Sequence, residues 1–199
     1  NLQCDSFSIQ MNVIKEGVDN DYEFWLKFIV IKGMLNKIDY AASVCFYNKE
    51  KRMYEFGINK DDFEMTADNS CEKVLSKFKQ KKYELKDCQE FMNNNKDKNI
   101  IVVASTGIGK TEGALLWAGD SKTFYTLPIK VSINAIYERI KTQNYYDKEK
   151  ITILHSDAVS ELMKEDADFG DAMEKYDKSK KLSYPFTVCT IDQLFYFVF

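Results

Sequence analysis

Several residue types that often decide a protein's class are scarce in this 199-residue chain. There is 1 histidine, His155, so a histidine-rich metal centre contained in the chain is excluded. The 5 cysteines (Cys4, Cys45, Cys71, Cys88 and Cys189) are odd in number, widely spread and without a Cys-x-x-Cys pair. That usage suits reduced thiols rather than a disulfide framework or a zinc site. With 2 Pro and 8 Gly there is no low-complexity tract. Long hydrophobic runs are missing too. The most apolar early stretch, Trp25 to Cys45, is interrupted by Lys27, Lys32, Lys37 and Asp39, whereas a membrane span needs about 20 nearly uncharged residues. Residues 1–20 lack the apolar centre of a signal peptide, so the expected location is cytoplasmic, with no membrane partner. Positive charge is not in excess: 28 Lys and Arg face 31 Asp and Glu, a net charge of −3. Any nucleic-acid contact must then be local and dipole-assisted rather than a global basic field. The chain also begins at Asn1 rather than Met.

What remains is globular composition, 45% hydrophobic and 30% charged, enough to bury a core without disulfides. From Asp21 to Phe46, apolar residues recur at three- and four-residue steps, which predicts an amphipathic helix or a kinked pair with Gly33 as the weak point. Residues 48–98 are rich in Lys, Asp, Glu and Asn, with helices expected near 70–81 and 86–94. The pattern then changes. Asn99–Ser105 is a short, continuous, β-branched apolar run, the mark of a buried parallel strand. A glycine-rich turn and a helix over 111–118 follow. Further strands are expected at 124–127, 151–154 and 186–190, with a helix over 131–141 and a surface helix and loop over 157–182. Strand–helix alternation over this length predicts an α/β fold built on a parallel sheet with flanking helices.

The strongest chemical signal is Ala104-Ser-Thr-Gly107-Ile-Gly109-Lys110-Thr111, which fits G-x-x-x-x-G-K-[ST] except for Ala at the first position. Each part has a physical task. Gly107 and Gly109 let the backbone turn its N–H groups toward phosphate oxygens. The following helix adds its positive N-terminal end. Lys110 supplies a mobile cation for the β- and γ-phosphates, and Thr111 offers a hydroxyl to Mg²⁺. The candidate cofactor-binding set is Thr106, Gly107, Ile108, Gly109, Lys110, Thr111 and Glu112, with Lys110 and Thr111 as the candidate catalytic residues. Gln89 precedes Lys110 by 21 positions, and its amide can offer an adenine edge both a donor and an acceptor.

Downstream come Phe124-Tyr-Thr-Leu-Pro128, a helix with Asn134 and Arg139, and Phe186-Thr-Val-Cys-Thr190-Ile-Asp-Gln193. With Gln89 and the loop, this order resembles the first RecA-like lobe of a superfamily 2 helicase, whose loop also begins with Ala. The segments ASTGIGKTEGALLWA, TLPIKVSINAIYERI, ILHS and VCTIDQL resemble, more closely still, the helicase-nuclease of type I CRISPR interference. The resemblance implies an ATP- and Mg²⁺-dependent motor that moves 3′-to-5′ along single-stranded DNA, recruited by an RNA-guided surveillance complex. It also implies DNA-backbone contacts around Pro128, Asn134, Arg139 and Thr190, which strand ends and helix N-termini are chemically suited to make.

Lys32-Gly-Met-Leu-Asn-Lys-Ile-Asp39-Tyr-Ala-Ala-Ser43 resembles the last helix of the HD nuclease domain in that family. By that resemblance Asp39 is a ligand of a divalent transition-metal site whose other ligands lie in a longer parent. Asp39 and Ser43, four apart, share a helix face. The implied organisation is 1–47 as the end of an HD-type domain, 48–82 as linker and helices, and 83–199 as a RecA-like lobe that stops before the Walker B box. A chain so divided is expected to be an internal piece that binds nucleotide without turning it over. His155 is expected to be a hydrogen-bonded structural residue, and Phe195–Phe199 to be core. Two other readings fit the residues: a different superfamily 2 DNA helicase, or a nucleotide-sensing module that is not a motor.

Overall fold

The computed structural model describes residues 22–43, 45–48, 53–56, 65–164 and 168–195. The stretch before Tyr22 and the aromatic run after Phe195 lie outside them. Of the described residues, those up to Phe56, with Phe195, form one compact unit, and Met65–Leu194 form the other.

In the first unit, helix α1 (Tyr22–Ser43) is continuous over 22 residues. Gly33 neither ends nor divides it, and a side chain there would meet nothing within 4 Å. Glu23 and Lys27 pair at 2.6 Å across one turn. Leu26, Val30, Met34 and Ile38, at four-residue steps, are exposed. Strands β1 (Cys45–Asn48) and β2 (Met53–Phe56) pair antiparallel, Cys45 opposite Phe56 and Asn48 opposite Met53.

The second unit holds helices α2 (Ser70–Gln80), α3 (Asp87–Asn94) and α4 (Lys110–Ala118), then strand β3 (Thr123–Thr126) and helix α5 (Lys130–Thr142). Strand β4 (Ile151–Leu154), helices α6 (Ala158–Leu162) and α7 (Phe169–Lys180), strand β5 (Phe186–Cys189) and helix α8 (Ile191–Phe195), all but its last residue, complete it. The sheet is parallel in the order β3-β5-β4, with Thr126 and Leu154 both level with Cys189. The fold is therefore α/β, a small parallel sheet flanked by helices, as in part of a RecA-like lobe. Every residue of β4 and β5 is buried, as a strand covered on both faces requires. The core gathers Phe186, Val188 and Ile153 from the sheet with Val74, Leu115, Leu116, Ile133, Ile140 and Tyr146 from the helices and loops.

Two segments differ from the sequence expectation. Residues 99–105 form no strand: they have no regular secondary structure and no ladder partner among the described residues. Ile101 and Val103 are 93% and 96% exposed, while Val102 and Ala104 are half-buried. The side-chain alternation of a strand is present without the ladder, because a parallel strand exists only through its neighbours. Residues 157–182 are also more than a surface helix and loop. Helix α7 packs on β4, burying Ala172 and Ser179, and the Ser179 hydroxyl meets that of Thr152 at 2.6 Å.

Candidate functional site

The glycine-rich turn delivers the chain into α4 in the way the sequence demands. Gly107 has φ +82° and Gly109, the residue capping α4, has φ +91°, a region that side chains with a Cβ avoid. No side chain caps α4, so its first N–H groups are left without a capping partner, the ordinary basis of anion binding at a helix N-terminus. Lys110 is exposed, and its ammonium donates to the carbonyls of Ala104 at 2.9 Å and Ser105 at 2.8 Å. The positive charge is thus folded back over the loop. Thr106 is exposed and Ile108 half-buried in the turn, and Thr111 is buried in the first turn of α4.

Gln89 lies against this turn. Its Nε2 donates to the Gly109 carbonyl at 3.1 Å, and its Oε1 accepts the Lys86 N–H at 3.1 Å. The amide keeps one further proton and one further lone pair, the two groups an adenine edge pairs with. A Cβ on Gly109 would sit 2.2 Å from Gln89 Nε2, so the approach is possible only because residue 109 has none. Gly113 does the same one turn later, where a Cβ would fall 2.6 Å from Met92 Sδ of α3. At both glycines the atom in the way is the far end of a flexible side chain, so an added Cβ would turn Gln89 or Met92 aside rather than part α3 from α4.

Beside the loop is a cleft of about 720 Å³ whose lining includes Tyr83, Lys86, Gln89, Glu112, Arg139 and Tyr145. Glu112 is buried in α4 and paired with the half-exposed Arg139 of α5 at 2.5 Å. Burial first, and the charge of Glu112 second, push the Tyr145 phenol up. Lys86 reaches the Gly107 carbonyl at 3.3 Å. The sequence reading passed over Lys86, Tyr83 and Tyr145. Lys86, three residues before Gln89, is the one that spacing could have revealed, since that offset is the reach of a capping interaction.

The four residues implied to contact DNA divide. Because β3, β5 and β4 end level, Pro128, Thr190 and His155 all follow the same edge of the sheet. Asn134 joins them through a 2.8 Å hydrogen bond to His155 Nε2. Near them α5 begins without a side-chain cap, and Lys130 in its first turn pairs with Asp157 at 2.7 Å. The Thr190 hydroxyl is buried and makes no well-formed hydrogen bond, although it lies near enough to Asp192 to help hold that carboxyl below the usual range. Arg139 does not join this edge. Nine residues beyond Lys130, at about 100° per residue, it faces the opposite side of α5, in the cleft with Glu112.

Asp39 is exposed on α1. No group of three or more His, Cys, Asp or Glu able to hold a metal occurs among the described residues. The Ser43 side chain lies outside the described set.

Comparison with known proteins gives a consistent answer. The chain is 29% identical over 179 residues to the CRISPR-associated nuclease/helicase Cas3 of Methanothermobacter thermautotrophicus, covering 83% of this chain and 20% of that protein. It is 33% identical over 128 residues to the putative CRISPR-associated nuclease/helicase Cas3 of Methanocaldococcus jannaschii, covering 58% of this chain and 17% of that protein. The chain thus spans about a fifth of the length of these curated relatives. No family model and no solved structure matches. The chain is thus similar to part of two CRISPR-associated nuclease/helicases.

Proposed function

We propose that this Cas3-like chain is the nucleotide-binding part of an ATP-driven, single-stranded-DNA motor acting in CRISPR interference. The observation that carries this reading is the loop at the head of α4. Two glycines at positive φ, an uncapped helix start, Lys110 and the Gln89 amide stand together there. In this reading Thr106–Gly109 and Lys110 bind the triphosphate, Gln89 reads the base and Glu112 fixes Arg139 at the wall of the cleft. The donor set fits a magnesium–nucleotide complex, in which Mg²⁺, held through Thr111, would neutralise phosphate charge. Pro128 and Asn134, with the uncapped start of α5, meet the DNA backbone, and Thr190 stands at the same edge with its hydroxyl buried and its N–H given to the Leu154 carbonyl. Contacts of this kind are local and independent of sequence, and so are compatible with a net charge of −3.

The proposal extends to the front of the chain. The similarity to the M. thermautotrophicus protein covers 83% of the chain, more than residues 83–199 make up, so it reaches into the earlier segments. That supports reading 1–47 as the end of an HD-type nuclease domain and 48–82 as the connection to the lobe. Asp39 would then be one ligand of a divalent-metal site completed in a longer protein. The RNA-guided surveillance complex and a cytoplasmic setting follow from the same reading.

The test is nucleotide-linked DNA binding. Fluorescence anisotropy of labelled oligothymidylate should show binding to the 199-residue chain that changes at least threefold with a non-hydrolysable ATP analogue and Mg²⁺. Equal affinities with and without nucleotide would count against a motor.

A further inference from the structure

His155 is the only histidine in the chain and is 1% exposed, yet the nucleotide site does not use it. Its surroundings fix its protonation. Nδ1 accepts the backbone N–H of Asp157 at 3.2 Å and therefore carries no proton. A neutral imidazole must then hold its proton on Nε2, which lies 2.8 Å from Asn134 Oδ1. The bond thus runs one way, from His155 Nε2–H to Asn134 Oδ1. Burial, chiefly, keeps the imidazole neutral by lowering its pKa. Asp157 and Glu161 push it the other way, and Lys130 acts with burial.

The consequence falls on Asn134. With Oδ1 committed to His155, the amide cannot flip, and Nδ2 with its two protons makes no hydrogen bond among the described residues. These donors stand in the second turn of α5, on the side chain tied to the strand-end edge where Pro128, Thr190 and the uncapped start of α5 gather.

We propose that His155 is a positioning residue whose Nε2–H fixes the Asn134 amide so that its NH₂ group donates to a backbone phosphate of single-stranded DNA. This rests on the DNA reading given above and deepens it. Asn134 contributes a neutral, oriented donor, and His155 touches no DNA.

The test uses oligothymidylate binding by the 199-residue chain, with thermal melting as the control for folding. Asn134→Asp is the informative variant. It keeps an acceptor for His155 but removes both donors and adds a negative charge, so it should bind DNA roughly tenfold or more weakly while melting close to wild type, with the neutral Asn134→Ala marking the part of the loss that the donors carry. Asn134→Ala should lose a similar factor. His155→Gln, which can still donate from its amide nitrogen, should stay within about threefold of wild type, and His155→Ala should not. The double variant His155→Ala/Asn134→Ala should bind no more weakly than the worse single, the mark of one shared contact. DNA binding by Asn134→Asp equal to wild type overturns the inference, as do losses that multiply in the double variant. A wild-type chain that binds no oligothymidylate overturns the DNA reading and this inference with it. A wild-type chain that binds, with Asn134→Asp unchanged, overturns this inference alone.

Discussion

At the scale of single residues, the two loop glycines have different tasks although both have positive φ. Gly107 has open space where a Cβ would go, so Gly107→Ala carries only the backbone penalty, about 1–2 kcal/mol. Gly109→Ala carries that penalty and also displaces Gln89 Nε2, which is 2.2 Å from the added carbon. Titration with an ATP analogue should therefore rank Gly109→Ala well below Gly107→Ala, and at least as weak as Gln89→Ala. The role of Gly109 was legible in the sequence from its place before Lys-Thr. Its contact with Gln89 was not, because the two lie 20 positions apart and only tertiary packing closes the distance. Arg139 shows the same limit. Its position in a helix was readable, but the side it faces follows from which stripe of α5 meets the sheet, and Ile133, Tyr137 and Ile140 decide that.

At the scale of elements, the helices were the readable part, since their apolar spacing and caps are local. Asn69 caps α2 by accepting the Glu72 N–H at 3.1 Å, and Asp168 caps α7 by accepting the Gly170 N–H at 3.0 Å. Residues 99–105 were misjudged because β-branched apolar sequence specifies a tendency to pair, while pairing itself needs a neighbour. The segment before α2 depends on a link of long sequence range. The Asp68 carboxylate accepts from Asn69 N and Asp147 N, each at 3.0 Å, and pairs with Lys73. Its backbone N–H donates to the hydroxyl of Tyr146 at 2.9 Å. Burial raises the Asp68 pKa, but Lys73 and the two N–H donors outweigh it, and the carboxyl is held below its usual range. A depressed folded-state value contributes stability that is fully present above the unfolded value of about 3.9 and lost as pH falls through the folded one. Asp68→Asn should thus melt below wild type at neutral pH, by roughly 1–3 kcal/mol. The two melting curves should converge as pH drops below about 4, and a gap that persists at low pH would contradict this link.

At the scale of the whole molecule, sequence and structure agree on an α/β unit, a small parallel sheet flanked by helices. Composition had already limited what surrounds it. No described helix is long and apolar enough to cross a membrane. Among the described residues one helix reaches both regions: the N-terminal half of α5 meets the strand-end edge through Lys130 and Asn134, and its C-terminal half lines the cleft beside the loop through Arg139. On the function proposed above, a helix so placed would link the state of one region to that of the other. All of it depends on the loop binding a nucleoside triphosphate. Calorimetric titration of the 199-residue chain with a non-hydrolysable ATP analogue and Mg²⁺ tests this directly. Wild type should bind, GTP analogues should bind at least tenfold more weakly, and Lys110→Ala should lose at least tenfold in affinity. Equal binding by wild type and Lys110→Ala would contradict the account.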